Sequence, residues 1–570
     1  MDWEVQAIDS GNKKSLNEPM EKGVDMRGKL LQLYNDHYRA GCMKLAILGG
    51  EQLDTLSQWA VKLFGGVRQG GKEQMKFSTW KPPDPIWEPA GCMYHIESVT
   101  DQHLLVLRVQ VACYCYQGEK VGEQVCQKLE LQMVALPKAV LATCFMWLQL
   151  TTSGLQHVFD VVGFLHQYIK MLCTIGPQEW VFKELQSISN MEFQFAEDIA
   201  AADHVVTLAK CDIIYGDYAF EQWDPELLTK LLSYLTPSNM RLDLMTKPFD
   251  KNVPGVKFEP WFEIAYTVET ISKEILQAWA DPAHVHSALH MPSPNEFIPH
   301  NFSIYIQTIA AKKNKCDSIK SSLVVLLDEP ALRLWYKLDQ TFQMPWANAF
   351  FSVLTRTASN SVKAAVLTEM YVNLLLHELN ETMYLANMAN LESSITVHGF
   401  KLELKLFGFN EKLPVLVRRI MEFHQSLVVT PELFQAIKED MERAFRNAET
   451  NPLTHSSYLR LQALKSRFWH VDDQLTCLLS LSTTDLTKFI PTLFHKTYIE
   501  ALCHGNLLEV EALDIANIFK KALVRNPLPP RQRPQDFIIK LPASICLLLQ
   551  ENVKNMNEEN SVAEVLLFFN

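Results

Sequence analysis

A helix, a strand and a second helix are packed between Asp25 and Phe64, and the unit recurs twice. A chain built on such copies is confined to repeated α+β domains. After Asp25, a good N-cap, apolar side chains at Leu30, Leu31, Tyr34 and Tyr38 lie on one face of a 3.6-residue helix that Gly41 stops. Met43 to Leu48 then reads as a strand running into Gly49-Gly50, and Leu53, Leu56, Ala60, Leu63 and Phe64 stripe a helix ended by Gly65-Gly66. In the second copy Asp224-Pro225, a cap followed by an N1 proline, opens a helix through Leu228, Leu231, Leu232 and Leu235 that leads into the strand Met240 to Met245. Tyr38 to Met43 spans the same distance as Leu235 to Met240, so helix end and strand start keep one register. The third copy has the helix Leu486 to His495, the strand Tyr498 to Cys503, the turn His504-Gly505-Asn506 and a helix striped by Ala512, Ile515, Phe519 and Leu523. Copies roughly two hundred residues apart mean repeated domains, not a solenoid of short units.

With 570 residues, 48% of them hydrophobic, the chain has material for about four domains at roughly 150 residues each. The net charge of -12 argues against a nucleic-acid partner, because phosphate binding needs a clustered basic surface and no long Lys/Arg run is present. Cationic peptides suit an acidic surface better. Twelve cysteines spread over this length, with no secretory signal at Met1-Asp2-Trp3-Glu4, read as reduced thiols in a cytosolic protein. The apolar run Ala139 to Leu150 is shorter than the roughly 20 residues that span a bilayer, so no membrane partner is expected. Leu567-Phe568-Phe569-Asn570 matches neither a peroxisomal nor an endoplasmic-reticulum signal.

Lys76 to Pro89, with four prolines, reads as a linker. Strand character shows at Leu104 to Leu107, but Gln110 to Trp147 follows neither the strand nor the helix period and holds Cys113, Cys115, Cys126 and Cys144. Periodicity resumes in a helix from Leu155 to Leu172, and Gly176-Pro177 restarts another through Trp180, Phe182 and Leu185. Asp281 to Asn301, rich in proline and histidine, and the polar Lys312 to Asp317 read as a hinge region. Leu323 to Leu327 and Leu334 to Leu338 are expected strands, Val362 to Leu391 a long helical stretch, and Ser393 to His398 pairs with Lys401 to Phe407 in a hairpin. There Lys401, Glu403 and Lys405 alternate with Leu402, Leu404 and Leu406, one face wet and one buried. Asn526 to Gln535 is a proline-rich linker before two apolar strands, Ser544 to Leu549 and Ala563 to Phe569. A terminal strand with nothing after it leaves an unpaired edge that invites another chain.

Gly66-Val67-Arg68-Gln69-Gly70-Gly71-Lys72 nearly spells a phosphate-binding loop, but Glu73 stands in place of the magnesium-binding hydroxyl and the loop follows a helix; it reads as a surface linker. His284, His286 and His290 lie in a proline-bounded linker without a fourth ligand. His377-Glu378-Leu379-Asn380-Glu381 starts like a zincin motif but ends in glutamate, which fits a helix-surface charge cluster. Cys113 and Cys115 are too close for a zinc-ribbon or redox spacing. Neither G-x-S-x-G nor G-x-G-x-x-G occurs.

Three stretches carry a family resemblance: His37-Tyr38 with Leu48-Gly49 and Leu53; Gly176-Pro177-Gln178-Glu179-Trp180-Val181-Phe182; and Tyr498-Ile499-Glu500-Ala501-Leu502-Cys503-His504-Gly505-Asn506. Pro294-Asn295-Glu296-Phe297-Ile298-Pro299 and Phe407-Gly408-Phe409-Asn410 add to them. The chain resembles the insulin-degrading enzyme and nardilysin family of pitrilysin-type zinc metallopeptidases, its plant nardilysin-like members above all. The resemblance implies homologous α+β domains, helices on mixed and largely antiparallel sheets, in two bowl-shaped halves around a chamber that admits short peptides. On that pattern residues 1–75 are a remnant of the first, catalytic domain, 76–300 a second domain with an aberrant 110–147 segment, 301–525 a third, non-catalytic domain, and 526–570 a linker and the opening strands of a truncated fourth.

The family holds zinc with H-x-x-E-H, two histidines on one helix face and a glutamate that activates water. None of the seventeen histidines here starts that motif. The family's third ligand, a glutamate, follows a segment resembling Glu4 to Ser10; Gly11 occupies its place and the chain passes directly to Asn12-Lys13-Lys14-Ser15-Leu16. Glu4 aligns with an accessory acidic residue of the family site and is expected on a solvated terminus. The expectation is therefore no catalytic residue, no metal ligand and no cofactor for this chain, with zinc a property of the family. A non-catalytic peptide-binding or regulatory role follows, with peptides, a full-length paralogue or self-association through the terminal strand as partners. Two alternatives are an incomplete form of an active zinc metalloendopeptidase and a structural subunit of an assembly.

Overall fold

A computed structural model describes residues 20–69 apart from 22, 91–98, 101–112, 132–135, 141–539 apart from 198, 211–219, 221, 260–262 and 308–321, then 548 and 550–553. The expected linkers at Lys76 to Pro89 and Lys312 to Asp317, the termini around Glu4 and Ala563 to Phe569, and Cys113, Cys115 and Cys126 lie outside these residues. The chain divides into two compact units, one of Met1–Ser98 and His103–Pro292, the other of Val99–Gln102 and Ser293–Asn570.

The first unit starts with α1 (Met26–His37), whose cap Asp25 accepts from the Gly28 amide at 2.8 Å, and α2 (Leu53–Phe64). The helix before Gly41 ends earlier than its periodicity suggested, at His37, and a 3-10 turn, Ala40–Cys42, follows. Met43 to Leu48, expected as a strand, is not one: a strand is defined by its ladder, and among the described residues none is paired to it.

Seven strands form one sheet in the order β3-β4-β2-β5-β1-β7-β6: β1 (Cys92–Glu97), β2 (His103–Ala112), β3 (Gln132–Ala135), β4 (Leu141–Gln149), β5 (Met240–Thr246), β6 (Lys257–Phe258) and β7 (Ala265–Thr270). β5 lies between β2, antiparallel, and β1, parallel. β3 and most of β4 fall within the 110–147 stretch that shows no stable period; β4 pairs with β2 from Leu104–Gln149 to Ala112–Leu141, so ladder bonds form strands where side-chain pattern gives no sign of them. Between β4 and β5 run α3 (Thr152–Gln156), α4 (Val158–Ile175), α5 (Glu179–Gln194), α6 (Ala201–Lys210) and α7 (Pro225–Leu232); α8 (Lys273–Ala280) follows β7. Met93, Leu105, Leu107, Val109, Met240, Leu242 and Leu244 pack one sheet face against Val158, Val162 and Ile169 of α4, Leu231 of α7 and Trp279 of α8. α4 is long and apolar enough by composition to cross a bilayer, yet Val158, Val162, His166 and Ile169 are buried in this core.

The second sheet has the order β11-β12-β10-β13-β9-β8, with β8 (Val324–Asp328), β9 (Leu332–Leu338), β10 (Trp346–Leu354), β11 (Glu392–His398), β12 (Lys401–Phe409) and β13 (Lys496–Gly505). β13 lies between β10, antiparallel, and β9, parallel, as β5 lies between β2 and β1. The linker Asn526 to Gln535 is partly ordered, because β14 (Asn526–Pro527) pairs with the start of β13. The long helical stretch breaks at Leu379 into α9 (Val362–Glu378) and α10 (Asn380–Met388). α11 (Leu413–Ser426), α12 (Pro431–Asn447), α13 (Pro452–Leu464), α14 (Val471–Ser480), α15 (Thr483–Leu493) and α16 (Glu509–Leu523) complete the unit. α9 packs against α11, α12, α14, α15 and β11, and Val366, Leu367, Met370, Tyr371 and Leu374 are all buried. A helix apolar around most of its girth belongs inside a core. The caps explain the starts: Asp224, Thr430 and Asn451 each accept a backbone amide and each precede an N1 proline.

Candidate functional site

The residues that carry the resemblance are structural in the folded chain. Asn295 donates to the Leu385 carbonyl at 2.8 Å and accepts the Phe297 amide, which seats Phe297 in the core, and Glu296 meets Arg419 at 2.8 Å. Beyond it, one Glu411 oxygen accepts the amides of His300 and Asn301, and Asn506 accepts the Tyr305 amide while donating to the Ser303 carbonyl. Tyr305 hydroxyl donates to Glu511 at 2.8 Å; burial, then that carboxylate, push its pKa up to about 12. Gly408 and Gly505 sit at positive φ where an added Cβ would stand 2.4 Å from the Asn390 carbonyl and 2.5 Å from the Trp346 carbonyl, so only glycine fits. Gln178 binds the carbonyls of Ile175 and Gly176 at the end of α4. These groups fix strands and straps; they present no reactive constellation.

The two sheets differ on the face turned away from the helices. In the second, that face is open: Phe350, Lys401, Lys405 and Glu500 are exposed, and Trp346, Ser352, Glu403, Phe407 and Trp335 half-buried. Trp335 Nε1 donates to Glu500 at 3.1 Å, Glu403 lies 3.6 Å from Lys405, and Arg333 meets Asp328. In the first, the centre of the matching face is buried and ionic, while Trp147 and Gln149 of β4 on the same face are exposed. Asp243 of β5, fully buried, accepts from Arg108 Nε at 2.5 Å and from Arg241 Nε at 2.6 Å, and Arg241 stacks 3.8 Å above the Tyr94 ring. Pattern reasoning missed this triad, although Arg241 and Asp243 alternating inside an apolar strand were its visible signal.

Each unit packs a histidine against aromatic rings, His166 buried and His424 half-buried. His166 touches Met240 Sδ at 3.5 Å and stacks on Trp279, and burial lowers its pKa to about 4. His424 Nδ1 is 2.8 Å from the Tyr371 hydroxyl and is likewise lowered to about 4, by burial first and by Arg525 second. Each is a neutral, packed core histidine.

Zinc is the metal the family implies, and among the described residues the donors present do not fit it. His284, His286 and His290 are exposed in irregular backbone; His286 Nδ1 accepts the Ala288 amide and His290 Nδ1 lies 3.0 Å from the Met291 carbonyl. His377 and Glu378 are 3.9 Å apart at the end of α9, and the break at Leu379 puts Glu381 on another helix, so a zincin-like face does not form. Among the described residues no three His, Cys, Asp or Glu side chains gather as a metal site. His377 and Glu378 instead border a shallow cleft of about 510 Å³ with Ser426, Val428, Thr430 and Leu433.

Residues 184–477 match the family model described as the middle or third domain of peptidase M16. The "Nardilysin-like" protein of Arabidopsis thaliana is 41% identical over 97% of this chain and 56% of its own length. Nardilysin of Rattus norvegicus is 26% identical over 98% of the chain and 50% of its own length, and insulin-degrading enzyme of Bos taurus 28% over 94% and 54%. The chain thus spans between half and three-fifths of these relatives. The crystal structure of pitrilysin superposes with a TM-score of 0.58 at 19% identity, covering 88% of this chain and 55% of that one, which shows the shared fold. With that fold, and with a family model matched over more than half its length, the chain belongs to the peptidase M16 family, as a homologue of the zinc metallopeptidases nardilysin and insulin-degrading enzyme.

Proposed function

We propose that this chain is a non-catalytic, peptide-binding or regulatory member of the M16 family. The observation that carries the reading is chemical: a chain matched to the family's middle domain contains no H-x-x-E-H at any of its seventeen histidines. Without two imidazoles and a water-activating carboxylate on one helix, the hydrolytic step has no place to occur. Two properties support peptide binding. The net charge of -12 favours cationic ligands, and the open face of β9, β10, β12 and β13 offers Phe350, Phe407 and Trp335 beside Glu403 and Glu500. A cytosolic location and association with a full-length paralogue or with itself belong to the same proposal.

Fluorescence titration with labelled basic and acidic peptides tests it. The basic peptide binds saturably, more weakly as salt rises, and the double substitution Glu403→Lys, Glu500→Lys reduces its affinity at least about tenfold. Equal binding of acidic and basic peptides, or none, removes the peptide-binding reading. The second reading, an incomplete form of an active zinc metalloendopeptidase, is favoured by the span of the match, about half the length of the relatives. Sequencing the transcript end to end decides it, since a dominant message with these junctions excludes it.

A further inference from the structure

We infer that the cleft between α4 and Trp279 of α8 binds a flat, neutral, apolar molecule that carries a carbonyl or comparable hydrogen-bond acceptor. Neither peptide binding nor the second unit enters into it. Phe159, Gly163 and Gln167 fall at i, i+4 and i+8 along α4 and form one stripe of that helix. Trp279 lies against this stripe, its ring 5.8 Å from Phe159 and stacked on His166, also at 5.8 Å. Phe164, Val161 and the pair His157 and Asp160 complete a cleft of about 420 Å³, and every residue that lines it is among those described. Its size and aromatic walls are those of a small-molecule site.

The cleft holds an unused donor. Trp279 is only 6% exposed, and among the described residues nothing accepts a hydrogen bond from its Nε1. A buried indole N–H ordinarily has an acceptor, because leaving it unmet costs about 1–3 kcal/mol. Nε1 is not sealed from solvent, so its acceptor has to arrive through the cleft. Gly163 is what opens the way: an added Cβ there would stand 3.3 Å from Nε1 and 3.6 Å from Cδ1 of the same ring. Close approach of the ring accounts for a glycine inside α4, but it does not account for the unmet donor. Gln167 supplies a second one. Its Oε1 accepts the His286 amide at 2.9 Å, which fixes the amide group and leaves Nε2 to donate. His286 also meets the Phe164 ring edge-on at 5.7 Å and holds that wall in place.

The chemistry of the walls selects the ligand. Phe159, Phe164 and Val161 suit a flat apolar body, and the donors of Trp279 and Gln167 call for an acceptor on it. An ammonium group fits poorly, because the indole presents its N–H edge, where the ring quadrupole is positive, and one of its faces is covered by the stacked His166. A carboxylate fits poorly as well. Asp160 stands exposed at the rim, 3.0 Å from His157 Nδ1, and repels an anion whenever that imidazole is neutral. A neutral acceptor remains.

Four probes share a naphthalene ring and differ in one substituent: an N-methylcarboxamide, a methyl, a carboxylate or an aminomethyl group. Each is titrated into the 570-residue chain and followed by ligand-observed NMR. The amide should bind saturably, at least about fivefold more tightly than the other three. Trp279→Phe, which keeps an aromatic ring but has no N–H, should bring the amide to within about twofold of the hydrocarbon, a change in preference that a purely structural role of Trp279 would not produce. Gly163→Ala places a methyl against Nε1 and should weaken the amide at least about fivefold. Hydrogen exchange in the first sheet reports whether each variant is folded; if Trp279→Phe is not, Gly163→Ala and the four probes on the unaltered chain decide. Absence of amide binding, a hydrocarbon, carboxylate or ammonium probe that binds as tightly, or an amide preference that survives either folded variant overturns the inference.

Discussion

The two sheets share a four-strand centre, β4-β2-β5-β1 and β12-β10-β13-β9, with the same antiparallel, antiparallel and parallel pairings. Their non-helical faces have opposite fates. In the first unit that face is buried around Arg108, Asp243 and Arg241; in the second it is open around Phe350, Lys405 and Glu500. One topology thus carries a buried ionic triad in one place and an open polar and aromatic face in another: the repeat dictates the strands, and the residues on one face decide what that face presents.

The sharpest way to break this comparison is to cut the lock. Asp243→Ala leaves two buried guanidinium groups without their carboxylate and should cost about 3–5 kcal/mol. Glu500→Ala on the open face should stay within about 0.5 kcal/mol. Hydrogen exchange resolved by sheet, along a urea series, reads both, and similar losses would erase the distinction. The buried third copy against the exposed first copy is the next contrast. Phe519 stacks on Phe351 with ring centres 4.0 Å apart, so Phe519→Ala should cost about 3–5 kcal/mol, whereas Leu63→Ala at the matching position should cost under about 0.5 kcal/mol.

Acid should act on both units through one packed histidine in each. His166 and His424 are neutral in the fold with pKa values lowered to about 4, so the unfolded chain takes up protons first as pH falls below about 6.5. Stability is full above that value and is lost as pH falls from about 6.5 towards 4. For His166, 3% exposed, the loss is on the order of 3 kcal/mol, and His166→Gln should flatten it in the first sheet alone. A single-bond loss is expected at Tyr305, where Tyr305→Phe removes one hydrogen bond to Glu511 and costs about 1–2 kcal/mol in the second unit.

Local chemistry was the legible part of the chain. Asp224-Pro225 and the alternation Leu402, Leu404 and Leu406 report structure through neighbours a few residues away, and both stand in the fold as their patterns imply. What depends on distant partners was not legible. Met43–Leu48 has the pattern of a strand but no ladder among the described residues, while Leu141–Gln149 has no clear pattern and yet pairs along its length with β2. Arg241 and Asp243 alternate as a wet face would, and only Arg108, more than a hundred residues away in sequence, turns them into a buried triad. A zinc motif is local and can be sought in the sequence directly; the open sheet face was not legible there, since exposure is decided by what packs elsewhere.

Zinc content measured together with peptide cleavage tests the central claim most directly. The purified chain, supplied with zinc and then desalted, should retain well under one equivalent of metal and show no peptide cleavage that a chelator abolishes, while still binding a basic peptide. One equivalent of tightly held zinc, with cleavage that disappears on chelation and returns with the metal, would contradict the account.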